Sequence, residues 1–205
     1  MEKNKDVKSM LKDAVILFVI TLLSGLMLGF VYELTKEPIR LQEEKAIQEA
    51  CQAVFADASS FEALKYTPAV EITDKLATDG VEIGTVYTAN DGSGQRKGYV
   101  VETTSAEGYG GDITLYVGIT NEGILNGISI LSIAETPGLG MNAESVLVPQ
   151  FENVEATVFT ITKTGSTSES EIDAISGATV TTKAVVNVVN GAITIVTEDI
   201  MKGGN

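Results

Sequence analysis

Residues 112–133 read DITLYVGITNEGILNGISILSI, and this stretch decides the fold. Ile113, Leu115, Val117 and Ile119 take every second position, which puts them on one face of a strand. Asn121–Gly123 is a turn signal, and ILNGISILSI (124–133) reads as the next strand. Towards the N-terminus, VEIGTVY (81–87) places Val81, Ile83 and Tyr87 on one side with Thr85 between them. Asp91–Gly94 is a second turn signal, and Lys97–Thr103 completes a hairpin. Residues 81–133 therefore read as an antiparallel meander, to which ATVFTIT (156–162) is a candidate addition. Towards the C-terminus, Val180, Ala184, Val185, Val188, Val189, Ala192, Ile193 and Val196 recur at helical spacing. So regular an apolar stripe outweighs the mediocre helix propensity of valine. Strands first and helices at the ends give an α+β domain, with no internal repeat.

The chain has 205 residues, 44% of them hydrophobic, and a formal net charge of −14. That length suits one ordinary domain plus an appendage. The sign of the charge argues against nucleic acid, whose phosphates need a basic surface. There is no histidine, one cysteine and no tryptophan. His-based zinc sites, Ser-His-Asp triads, His-ligated haem, disulfides within the chain and Cys-ligated iron–sulfur clusters are all excluded. No metal site is expected. The remaining chemistry belongs to carboxylates, hydroxyls, lysines, backbone amides or a borrowed cofactor.

The appendage is N-terminal. Ala14–Tyr32 carries no charge, and as a helix it would be about 28 Å long, close to the hydrocarbon thickness of a bilayer. The run exceeds a typical signal-peptide core and leads straight into Glu33, so an uncleaved anchor is expected. Lys3, Lys5, Lys8 and Lys12 precede it. The positive-inside rule then leaves residues 1–13 as a cytoplasmic tail, 14–32 as a single transmembrane helix, and the remainder outside the cell membrane. Past Pro38, Ile47, Ala50, Cys51, Val54 and Phe55 form one face of an amphipathic helix. Residues 33–60 are expected to be this stalk, ending near Asp57–Ser60, and 61–205 the domain. Cys51 reads as a small buried apolar side chain rather than a reactive thiol.

Three glycine-bearing segments are candidate site elements. Asp173, Ser176 and Thr179 are spaced by three ahead of the last helix, and each is a good N-cap type. The segment DAISGAT (173–179) reads either as a turn into a capped helix or as an anion site. In the second reading the helix N-terminus offers unpaired N–H groups, Gly177 and Ala178 leave room for a ligand, and Lys183 pairs with a phosphate. ETPGLG (135–140) is either a plain turn or a surface for a flat ligand with polar edges, offering backbone amides at Gly138 and Gly140 and the apolar Leu139. EGYGG (107–111) is either a flexible loop or a place of close backbone approach.

SGAT (176–179) within DAISGAT, ETPGLG (135–140) and GYGG (108–111), in this order relative to one N-terminal span, resemble the membrane-anchored FMN-binding subunits of two related complexes. These are the G subunit of the Rnf complex and, as a close second, the C subunit of the sodium-pumping NADH:quinone reductase. The resemblance covers the anchor and nearly all of the domain, and the modest length favours the Rnf member. It implies an antiparallel-sheet FMN-binding domain with flanking helices, and a one-electron carrier rather than a stand-alone enzyme. The complex would couple electron transfer from reduced ferredoxin to NAD with ion translocation. It also implies FMN joined covalently through its phosphate to the Thr179 hydroxyl. A separate flavin transferase would recognise D-x-x-(S/T)-G-A-(T/S), matched here by Asp173 and Ser176. Glu135, Thr136, Leu139 and Gly140 would line the isoalloxazine ring, and Ser176, Gly177, Ala178 and Lys183 would surround the phosphate. No side chain would be catalytic. The implied partners are the membrane subunits A, D and E, the peripheral subunits B and C, the transferase and the lipid bilayer.

Two readings of another class stand beside this one. The first is a cofactor-free anchored extracellular binding domain, in which SGAT only caps a helix. The second is a hydrolase using Ser176 or Thr179 as nucleophile with Lys183 as base.

Overall fold

The computed structural model describes residues 3–203. The first two residues of the expected cytoplasmic tail lie outside the described residues. The described chain divides into two units, between Lys45 and Ala46.

Helix α1 spans Lys3–Val54, with Pro38 inside it. Its N-terminal part is apolar and long enough to cross a membrane. Leu17, Phe18, Leu23, Leu26 and Phe30 are all exposed there, as lipid-facing side chains would be. The C-terminal part of the amphipathic stretch packs within the second unit, which begins at Ala46.

That second unit is built on a six-stranded antiparallel sheet in the order β1-β2-β3-β4-β5-β6. The strands are β1 (Ser60–Ala63), β2 (Val81–Asn90), β3 (Arg96–Ser105), β4 (Ile113–Thr120), β5 (Ile124–Ser132) and β6 (Val154–Glu155). The four central strands are the expected meander. Helix α2 (Val70–Thr78) joins β1 to β2 where the sequence reads as strands. The segment at 156–162 does not extend the main sheet. Its β7 (Thr160–Thr162) pairs in parallel with β8 (Glu171–Asp173), forming a separate two-stranded sheet. The small helix α3 (Ala143–Val146) lies between β5 and β6.

Both faces of the sheet are covered. On one lies α4 (Thr179–Thr194), which continues as a π-helical turn at Ile195–Ile200. It packs across β2, β3 and β4. Its stripe of Ala184, Val185, Val188, Val189, Ala192, Ile193 and Val196 is buried against Val101, Ile113, Leu115, Val117 and Ile119. The helix is also apolar enough to span a membrane, but its burial makes it a core helix. On the other face sits the end of α1, where Ala50, Cys51, Val54 and Phe55 pack against Ala89, Val100 and Tyr116. Two glycines make this approach possible. A Cβ at Gly118 would lie 2.9 Å from Val54 Cβ, and one at Gly98 would lie 2.6 Å from Phe55 Cζ. Asn126 Nδ2 donates to the Val54 carbonyl and closes the helix end.

Tyr87 lies on the face opposite to the one expected. The register of β2 on β3 shifts between Ile83 and Val86, so β2 carries one extra residue there. Such a bulge reverses the alternation beyond it. Val86 therefore joins Val81 in the α4 core, while Tyr87 turns to the α1 side.

Candidate functional site

The segment before α4 is shaped by β8 and by a single turn. The Gln150 side chain holds the end of β8. Its Oε1 accepts the Asp173 N–H at 2.7 Å, and its Nε2 donates to the Asp173 carbonyl at 3.2 Å. Asp173 Oδ2 accepts from Ser166 Oγ at 3.4 Å. Ala178 N–H then donates to the Ile175 carbonyl at 3.0 Å, with Gly177 at φ +79° in the third position of the turn. That is the type II arrangement, which favours glycine there. Ser176 stands exposed at the tip. The helix begins at Thr179 with Ala178 in the cap position and no side-chain cap. None of the three cap-type residues closes the helix end, so its first N–H groups face outward with the positive end of the helix dipole.

ETPGLG folds as a second tight turn against this end. The Thr136 carbonyl accepts the N–H groups of Leu139 and Met141 at 3.1 and 3.3 Å, and Gly138 has φ +76°. Pro137 and Gly138 thus occupy the central positions each favours in a type II turn. Gly140 sits where any side chain would collide. Its Cβ would fall 2.7 Å from Thr181 Oγ1 and 2.7 Å from Glu135 Cβ. Glu135 is only 7% exposed. Its Oε1 accepts the Tyr109 N–H at 2.7 Å, which ties GYGG to ETPGLG. The close approach expected of GYGG is to the protein itself, since a Cβ at Gly110 would lie 2.0 Å from the Ala134 carbonyl oxygen.

The three segments, far apart in sequence, enclose one cavity of about 460 Å³. That volume is in the range of small-molecule and cofactor sites. Glu135, Thr136, Leu139, Gly140, Gly177, Ala178 and Thr179 line it, together with Tyr109, Val180 and Thr181. Lys183 does not. Its Nζ meets Glu107 Oε2 at 3.3 Å, and both side chains are well exposed. Tyr109, Leu139 and Val180 give the mouth large exposed apolar surfaces. Sequence reasoning missed Val180, Thr181 and Gln150 as parts of the site. The first two follow Thr179 on α4, and Gln150 carries no local signal. Among the described residues no cluster of acids and Cys51 could hold a metal ion.

This architecture can take a flat, largely apolar group bearing one anionic end. The apolar walls suit a ring, the uncapped helix suits a phosphate, and Thr179 stands in the wall beside it. The residues present fit FMN on those grounds.

Residues 108–194 match the FMN-binding domain family, and residues 1–54 match the RnfG N-terminal region. The chain is similar to the G subunit of the Na(+)-translocating ferredoxin:NAD(+) oxidoreductase complex of Acetobacterium woodii, at 32% identity over 93% of each chain. It is equally similar to the G subunit of the proton-translocating ferredoxin:NAD(+) oxidoreductase complex of Clostridium ljungdahlii, at 32% identity over 96% of this chain and 97% of that one. Among solved structures, NqrC of Shewanella oneidensis aligns over 73% of each chain at 20% identity with a TM-score of 0.48.

Proposed function

The chain belongs to the family of G subunits of ion-translocating ferredoxin:NAD(+) oxidoreductase complexes, and from that premise we propose that it is a membrane-anchored electron carrier with FMN bound covalently at Thr179. The observation that carries this reading is the convergence of SGAT, ETPGLG and GYGG on one cavity at an uncapped helix N-terminus. Bound FMN would supply one-electron transfer chemistry.

The chain's own part is to hold and orient. The Thr179 hydroxyl would hold the FMN phosphate as its ester. The N–H groups at the start of α4 stabilise the remaining negative charge, by about 0.3–1 kcal/mol from the helix dipole alone. Ser176, Gly177 and Ala178 keep that end open. Because Lys183 does not line the cavity, the helix end rather than the lysine is the principal phosphate partner. Glu135, Thr136, Leu139 and Gly140, with Tyr109 and Val180, form the ring's walls. Asp173, at the end of β8, is the transferase's recognition residue.

The apolar part of α1 crosses the cell membrane once. Residues 1–13 remain in the cytoplasm and the domain lies outside, docked to the membrane subunits A, D and E and served by the peripheral subunits B and C. The relatives are G subunits of ferredoxin:NAD(+) oxidoreductases by name, which favours this complex over the sodium-pumping quinone reductase. The hydrolase reading is less favoured, since Lys183 does not line the cavity in which Thr179 stands.

The test is co-expression with a flavin transferase, denaturation and a gel viewed under ultraviolet light. A fluorescent band, with FMN minus one water mapped to Thr179, is expected. Thr179→Ala should be folded and dark. A dark wild-type band, from a transferase that labels another substrate, would refute the proposal in favour of a cofactor-free domain.

A further inference from the structure

We propose that Thr182 is the positioning residue of the attachment turn, and that its hydroxyl sets how readily Thr179 is modified. The proposal rests on Thr179 being the attachment residue.

The turn at Ile175–Ala178 leads into a helix that no side chain caps. Its exposed tip, Ser176–Gly177, offers no side-chain hydrogen bond back to the protein among the described residues. What holds it comes from one turn further along α4. Thr182 is fully buried, with 0% exposure. Its Oγ1 accepts the Ile175 N–H at 3.1 Å and donates to the Ala178 carbonyl at 3.0 Å. The second bond is the common habit of a helical threonine towards the carbonyl four residues back. The first, to an N–H seven residues back and outside the helix, is not. One hydroxyl thus fastens both ends of the turn to the body of α4, and its single proton and an acceptor site are both used.

The two bonds are not equally replaceable. The Ala178 carbonyl also accepts the Thr182 N–H at 3.0 Å, so it keeps a partner without the hydroxyl. The Ile175 N–H has no second acceptor among the described residues, and Ile175 is itself buried. Without the hydroxyl this N–H is orphaned, and the turn is driven to open towards water. Thr179 directly follows Ala178, so an open turn presents a different backbone to the transferase. An enzyme that binds only the closed turn would see the substrate concentration reduced to the closed fraction, which raises KM and leaves kcat alone.

The experiment uses the full chain in detergent with a working flavin transferase and its flavin nucleotide. It compares wild type, Thr182→Val, Thr182→Ser and Thr179→Ala well below each protein's own Tm. Thr182→Val keeps the shape and loses the hydroxyl. Its labelling kcat/KM should fall roughly tenfold, carried by KM. Thr182→Ser keeps the hydroxyl and should label like wild type, while Thr179→Ala should not label. If Thr182→Val has a lowered Tm but wild-type labelling kinetics, the hydroxyl is merely structural and the proposal is overturned. Should Thr182→Val not fold, Thr182→Cys substitutes a weak thiol partner. A raised KM supports the proposal, and a wild-type KM overturns it. Failure of wild type itself to label overturns the attachment reading instead.

Discussion

Replacing Gly177 with alanine isolates what the attachment turn demands of its backbone. Gly177 has φ +79°, and an added Cβ would stand 3.1 Å from Leu139 Cδ2. A left-handed conformation costs an ordinary residue about 1–2 kcal/mol. Alanine recovers about 0.4–1 kcal/mol of that by stiffening the unfolded chain. Leu139 is 40% exposed, so it can yield the few tenths of an ångström required. The net expectation is a loss of about 1 kcal/mol, or a Tm lower by roughly 2–4 °C for a unit of this size. Near-ultraviolet circular dichroism of the full chain in detergent would read it, through the tyrosines of the folded unit. Gly177→Asn is the control, because asparagine carries the same Cβ but tolerates left-handed backbone. It should lose less than alanine does. If alanine and asparagine cost the same, φ is not what glycine supplies. If the alanine cost vanishes in a Leu139→Ala background, the contact was responsible and the reasoning fails.

Other consequences are as open to measurement. Glu135→Ala removes the charged acceptor of the Tyr109 N–H, so it should cost about 1.5–3 kcal/mol and raise hydrogen exchange at 108–111, with Glu135→Gln costing less. Gly118→Ala should push the end of α1 off the sheet, costing about 1–3 kcal/mol and exposing Cys51 to thiol reagents. Burial, reinforced by the Glu102 charge, pushes the Cys51 thiol up to about 12, whereas the unfolded thiol titrates near ~8.5. The native state therefore keeps a proton that the unfolded state releases. This stability is complete below about pH 8.5 and is lost as pH rises towards 12. Burial raises the Tyr87 and Tyr116 phenols too, in the same sense. Tm should thus fall from pH 8 to 10, less steeply in Cys51→Ala; a flat or rising Tm would contradict the assignment.

Where a segment's burial is set by its own periodicity, it was legible in the sequence. The alternation of Ile113, Leu115, Val117 and Ile119 announced β4, and the valine stripe announced α4. The amphipathic face from Ile47 to Phe55 announced the end of α1. The three glycine-bearing segments were legible as candidates because their turns need residues that few other positions tolerate. What escaped depends on distant partners. The bulge in β2 turns Tyr87 over, and nothing within VEIGTVY marks it. Helix α2 has no side-chain cap from its own segment. Its first amide, Ala69 N–H, donates to Asp199 Oδ2 at 2.9 Å, and the Tyr66 hydroxyl donates to the same oxygen. The hold on Asp173 comes from Gln150, and that on Ile175 from Thr182. Neither anchor lies within the motif it supports.

The Asp199 clamp also constrains the order in which the domain can be completed. The start of α2, made early, waits for a carboxylate 130 positions later in the chain before its amide is satisfied. A ribosome-bound chain ending before Asp199 can pair β2 through β5, yet it leaves the entry to α2 unfastened. A truncation that removes Asp199 would therefore loosen the entry to a helix 130 positions earlier in the chain.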